Sequence, residues 1–136
     1  MKFYLFIITV LTLTSCSTSK YLDLKANKFS FREKVNDEWS PFTDWDSTDV
    51  TIQIKNPKLL FKKTTITIFD SDTLSYKVLQ GPIESTTENG EEVLSFNCID
   101  NDKAKCHIIM VNRGETINMV VYYSNLNLCY NIIDKK

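Results

Sequence analysis

The stretch EVLSFNCIDNDKAKCHIIMVNRGETINMVVYY, residues 92–123, decides the fold. Apolar residues recur at every second position in three blocks: Leu94, Phe96 and Cys98; Cys106, Ile108 and Met110; Ile117, Met119 and Val121. Successive side chains of a strand point to opposite faces, so each block reads as a strand with one buried face. Between the blocks lie Asp100-Asn101-Asp102 and Asn112-Arg113-Gly114, residues that favour Asx turns and left-handed backbone. Two short reversals between three alternating strands make antiparallel hairpins.

The same rhythm extends in both directions. Strands are expected near residues 28–34, 49–55, 63–69, 73–80 and 128–133, with turns at Asn56-Pro57, Asp70-Ser71-Asp72, Asn89-Gly90 and Asn125-Leu126-Asn127. Core-facing sets are Val50/Ile52/Ile54, Ile66/Ile68, Leu74/Tyr76/Val78 and Leu128/Tyr130/Ile132. No stretch of ten or more residues carries a helical apolar stripe. The fold class is therefore all-β: a single antiparallel meander of about eight strands, closed into a small barrel or curled into a half-barrel of calycin-like outline. Closure removes the open edges that invite aggregation, which favours a barrel over a Greek-key sandwich.

The N-terminus has a different character. Lys2 precedes an apolar run of 11 residues, Phe3 to Leu13, too short for a spanning helix of about 20 residues but suited to a secretory signal. It ends in Leu13-Thr14-Ser15-Cys16 and continues as polar STSK. This resembles the lipobox of bacterial lipoproteins. The resemblance implies a signal peptide over residues 1–15, cleavage before Cys16, and acyl chains on Cys16 that anchor the mature chain to a membrane without spanning it. Ser17 in place of Asp implies the outer membrane by the enterobacterial sorting rule, and no acidic run follows Cys16 to direct export to the surface, so a periplasm-facing position is expected. Residues 16–28 read as the lipidated N-terminus and a polar tether, and residues 29–136 as the barrel domain.

Without residues 1–15 the chain has 121 residues, enough for one domain. The formal charge of −1, with neither sign in a long block, argues against nucleic acid as a partner, since that requires a concentrated basic patch. With Cys16 assigned to lipid, three cysteines remain. Cys98 and Cys106 lie symmetrically about Asp102 and would face each other across a hairpin, close enough for a disulfide if their pair is a non-hydrogen-bonded one. The alternative is two buried thiols acting as small apolar groups.

No metal, cofactor or catalytic constellation emerges. The C-x7-C spacing beside His107 lacks a second ligand pair, and Asp44, Asp46 and Asp49 lack the glycine and distal glutamate of a calcium loop. One histidine, no G-x-S-x-G and three isolated glycines leave little for nucleophilic catalysis or phosphate binding. The densest aromatic stretch, residues 38–46, carries Trp39, Phe42 and Trp45 without strand alternation. Exposed, these rings would stack on sugars or anchor a protein interface; turned inward, the tryptophans would plug the barrel.

Beyond the lipobox, Phe96-Asn97-Cys98-Ile99-Asp100, Cys106-His107-Ile108-Ile109, Met119 to Tyr123 and Tyr130-Asn131-Ile132 resemble the C-terminal half of small β-rich lipoproteins of Bacteroidota. That resemblance spans residues 39–133 and implies a barrel, without an activity to carry over. The functional expectation is a non-enzymatic envelope lipoprotein that binds a small apolar ligand or an envelope protein. An inhibitor or immunity lipoprotein against an envelope-targeted enzyme such as lysozyme is the alternative. Lysozyme-inhibitor lipoproteins are also small β-barrels with cysteines, although their serine- and glycine-rich inhibitory loop has no counterpart here.

Overall fold

The computed structural model describes residues 21–55 and 64–133. Cys16, the lipobox and the Asn56-Pro57 turn lie outside the described residues. The strands are β1 (Tyr21–Val35), β2 (Glu38–Trp39), β3 (Asp46–Lys55), β4 (Thr65–Phe69), β5 (Thr73–Thr86), β6 (Glu92–Asp100), β7 (Lys105–Asn112), β8 (Thr116–Tyr122) and β9 (Leu126–Ile133). Among the described residues there is no helix.

From β3 to β9 each strand pairs antiparallel with the next; β1 pairs with both β3 and β9, which closes an eight-stranded meander barrel. The two-residue strand β2 lies outside the closed ring and pairs only with the end of β1, Lys34 opposite Trp39 and Val35 opposite Glu38. The long strand β1 pairs along both of its edges, and both ladders shift register at a bulge between Ala26 and Lys28. One extra residue shifts the alternation, so Leu22, Leu24 and Ala26 face inward before the bulge and Phe29 packs against the core after it.

All seven expected core-facing sets line the barrel interior or pack against it. Val50, Ile52, Ile66, Ile68, Tyr76, Ile108, Met110, Met119 and Val121 retain no accessible surface. A space large enough for water against any of these side chains would leave surface on it, so the middle of the barrel is packed solid. Each fully buried aliphatic side chain contributes about 1.5–3 kcal/mol, which makes this layer the main source of stability.

Two features differ from the sequence reading. The stretch read as tether is already strand from Tyr21: Leu22, Leu24 and Ala26 alternate with Asp23, Lys25 and Asn27, but the small Ala26 and only two larger apolar residues left the alternation faint. The second concerns the cysteines. Cys98 does face Cys106 across β6 and β7, yet both thiols are free, as is Cys129. The reason is the tip. Asp100 N–H donates to Ala104 O (3.0 Å) and Lys103 N–H to Asp100 O (3.0 Å), with Lys103 in left-handed backbone at φ 63°. Asp100 and Ala104 are therefore a hydrogen-bonded pair, and alternation makes Cys98/Cys106, two steps along, another. Hydrogen-bonded pairs hold their Cβ atoms near the wide end of the cross-strand range, about 5.5 Å, beyond the roughly 3.5–4.5 Å a disulfide needs.

Candidate functional site: an aromatic hairpin outside the barrel

Residues 31–47 form a hairpin at one end of the β1/β3 pairing: Phe31 to Glu33 still pair with β9 in the barrel wall, and the chain beyond them turns back along the other edge of β1. Its tip is Asn36-Asp37, both in left-handed backbone (φ 53° and 63°), a two-residue reversal of the kind that matches strand twist. The return passes through β2 and then runs irregularly beside β1. Ser40 N–H donates to Glu33 O (2.8 Å), Thr43 N–H donates to Phe31 O (2.9 Å), and the Ser40 and Thr43 hydroxyls accept from Glu33 N–H (3.1 Å) and Phe31 N–H (3.1 Å). Side-chain hydroxyls thus replace missing ladder partners, which is how a segment lacking alternation still lies against a strand. Ser30, buried on the outer face of β1, donates to Thr43 O (2.6 Å) and fastens the return.

This arrangement leaves Trp39, Phe42 and Trp45 outside the core cluster at 36%, 42% and 46% exposure, with Val35 exposed beside the tip. Neither tryptophan plugs the barrel. The Arg32 guanidinium lies 4.8 Å from the ring centroids of both Trp39 and Phe42, and Lys34 lies 5.8 Å from that of Trp39. Cation–π contacts of this kind contribute about 0.5–1 kcal/mol each at exposed sites.

Arg32 is fixed from below. It stands opposite Asn127 across the β1/β9 seam that closes the barrel. Asn127 is 1% exposed; in the amide orientation its neighbours require, its oxygen accepts from Arg32 Nε (2.8 Å) and Nη2 (3.0 Å) and its nitrogen donates to Leu126 O (3.1 Å). A buried amide therefore holds the guanidinium that orders two exposed rings.

Asn127 belongs to a row of side chains on the outer face, in register from Gln80 through Asn97, His107, Tyr122 and Asn127 to Arg32. Asn97 Nδ2 donates to Gln80 Oε1 (2.8 Å), and Asn97 Oδ1 lies 2.6 Å from His107 Nδ1, a contact that requires the proton on that ring nitrogen. A second outer row runs Asn27, Asn131, Asn118, Arg113, Glu91: Asn131 donates to Asn27 (2.8 Å), Asn118 to Asn131 (3.4 Å), Arg113 Nε to Asn118 (3.0 Å), and Arg113 pairs with Glu91.

Two other places hold chemistry-bearing groups. Inside one end of the barrel, Tyr123 Oη is 3.0 Å from Asp100 Oδ2 and 3.2 Å from Tyr76 Oη. The Tyr123 hydroxyl is the donor toward both, its proton shared between the Asp100 carboxylate and the Tyr76 oxygen. Asp100 Oδ1 also accepts from the N–H groups of Ala104 (2.8 Å) and Asp102 (2.9 Å). The Ala104 bond foremost, with the Tyr123 and Asp102 bonds, holds the Asp100 carboxyl below the usual carboxylate range against the opposing effect of desolvation. Burial pushes Tyr76 up to about 12. Where β5 is irregular, an open groove of about 500 Å³ is lined by exposed Leu79, Gln80 and Lys105, by Asn97, and by the core-facing Cys98 and Cys106. Burial raises Cys98 to about 12 and Cys106 to about 11, so neither thiol is a nucleophile near neutral pH.

Among the described residues no three His, Cys, Asp or Glu side chains converge as metal ligands. Of the dispersed acids, Asp46 lies opposite Phe29 and Asp49 pairs with Lys25 (3.7 Å). The hairpin brings Trp39 and Phe42 together around one cation, while Trp45 stands farther along the return. Sequence reasoning missed Arg32, Lys34 and Asn127; the usable signal was Asn36-Asp37, which pairs Lys34 with Trp39 once read as a hairpin tip. No protein-family model, curated protein or solved structure matches this chain.

Proposed function

We propose that the chain is a lipoprotein of the bacterial envelope, anchored in the outer membrane through Cys16 and facing the periplasm, whose barrel is a rigid, non-enzymatic mount for a protein-docking hairpin. The observation that supports a protein partner over a small apolar ligand is the contrast between a barrel whose middle layer of side chains has no accessible surface and three large rings left exposed on a braced outer hairpin. Tryptophan and arginine are the residues most enriched among interface anchors, and a surface ordered before binding loses less entropy on docking.

Two experiments test the two halves of this reading. Trp39→Ala/Trp45→Ala should abolish retention of the partner from envelope extract while leaving the thermal unfolding transition in place. Unchanged retention would remove the hairpin from the account. Cys16→Ala should move the protein from the membrane to the soluble fraction, and continued membrane attachment would refute the anchor.

A further inference from the structure

We infer that the partner docked by this hairpin is a basic protein, which meets the aromatic centre with an apolar recess and the surrounding carboxylates with lysine or arginine; this rests on the docking reading above. Five carboxylates, Glu33, Asp37, Glu38, Asp44 and Asp46, are interleaved with the rings, and all five are exposed. Against two cations they give residues 31–47 a net charge of −3, whereas the whole chain carries −1, so the rest of the molecule is net positive. The charge asymmetry is local to the hairpin.

The two cations do not neutralise the rim. Arg32 is engaged by Trp39, Phe42 and Asn127, and Lys34 leans over Trp39. None of the five carboxylates makes an ion pair among the described residues, whereas Asp49, just beyond the hairpin, is paired with Lys25. The surface thus offers an apolar centre with cations folded onto it and free acids around it. An acidic partner would bring like charges together and an uncharged one would strip water from acids without replacing it; a basic partner supplies the missing counter-charges. Rim charges of this kind act chiefly on association rate and its salt dependence.

The test uses the full-length protein immobilised through its C-terminus and host envelope extract separated by isoelectric point into a basic and an acidic pool. Retained proteins are identified by mass spectrometry. The inference expects one identified protein from the basic pool, lost with Trp39→Ala/Trp45→Ala, weakened by salt, and associating on the order of tenfold more slowly with Asp37→Lys/Glu38→Lys. Both variants must keep the wild-type unfolding midpoint; if the charge reversal lowers it, Asp37→Asn/Glu38→Gln takes its place with a smaller slowing expected. Trp-dependent retention of a protein from the acidic pool would overturn the inference and leave the docking reading standing. Retention insensitive to the tryptophans, retention of glycan strands in place of protein, or no retention from either pool would overturn both.

Discussion

Arg32 is held from two sides, by a buried amide below and two exposed rings above, so its removal has two separable consequences. Arg32→Ala leaves the Asn127 oxygen buried without its charged donor, a loss of about 1–3 kcal/mol that urea unfolding should register. It also frees Trp39 and Phe42, so tryptophan fluorescence should become more readily quenched by acrylamide. Arg32→Lys should recover little of either effect, because an ammonium cannot present the two-pronged donor that Asn127 accepts; full recovery would contradict the geometry. The cysteines give a second expectation at this scale. Cys98, Cys106 and Cys129 are buried, free and raised by desolvation, Cys129 to about 11. A thiol-specific reagent should find none of them in the native protein and three in urea if Cys16 carries the proposed lipid. Labelling of one thiol in urea would indicate a disulfide, and labelling of four an unmodified Cys16.

At the scale of elements, β5 shows a sequence requirement that alternation does not announce. Gly81 adopts φ +122° within an irregular stretch of the β5/β6 pairing, and a Cβ there would lie 2.7 Å from the Ser95 carbonyl oxygen and 3.2 Å from Phe96 Cα. Both neighbours are backbone and cannot swing away. Gly81→Ala should therefore lower stability by about 1–3 kcal/mol, read as a lower unfolding midpoint, whereas Gly90→Ala meets no neighbouring atom and should cost less. Regular elements were legible because period-2 burial leaves a direct trace: the Leu94/Phe96/Cys98 and Ile117/Met119/Val121 rows could face only one way. Irregular ones were not. β2 is two exposed residues, the Ser40 and Thr43 hydroxyls replace backbone partners without a pattern, and the parity change at Asn27 hides Leu22 and Leu24 behind what reads as a polar tether. The aromatic content of the candidate site was visible in Trp39, Phe42 and Trp45. Its bracing was not, because Asn127 meets Arg32 only where the last strand closes on the first.

For the whole molecule, closure converts a meander into a solid mount and also sets its response to pH. The folded Asp100 carboxyl lies below its ordinary range, so its contribution is present above about pH 4 and is lost as pH falls through the folded value. On the alkaline side, Tyr76 at about 12 and Cys98 at about 12 are raised. Their contributions are complete below the unfolded values of about 8.5 for the thiol and 10 for the phenol, and decline as pH rises toward the folded ones. Urea midpoints should thus form a plateau that falls at both ends, and Asp100→Asn should flatten the acid limb. An acid limb unchanged in that variant would place its origin elsewhere. The central claim, that the outer hairpin rather than the barrel lumen or the groove on β5 meets the partner, is tested most directly by photocrosslinking in intact cells. With a photoreactive phenylalanine analogue at position 42 or 45, ultraviolet light should yield a discrete adduct with a second envelope protein, and the same analogue at Leu79, exposed beside the groove on β5, should yield none. An adduct formed only from position 79, or none from 42 and 45, would contradict the account.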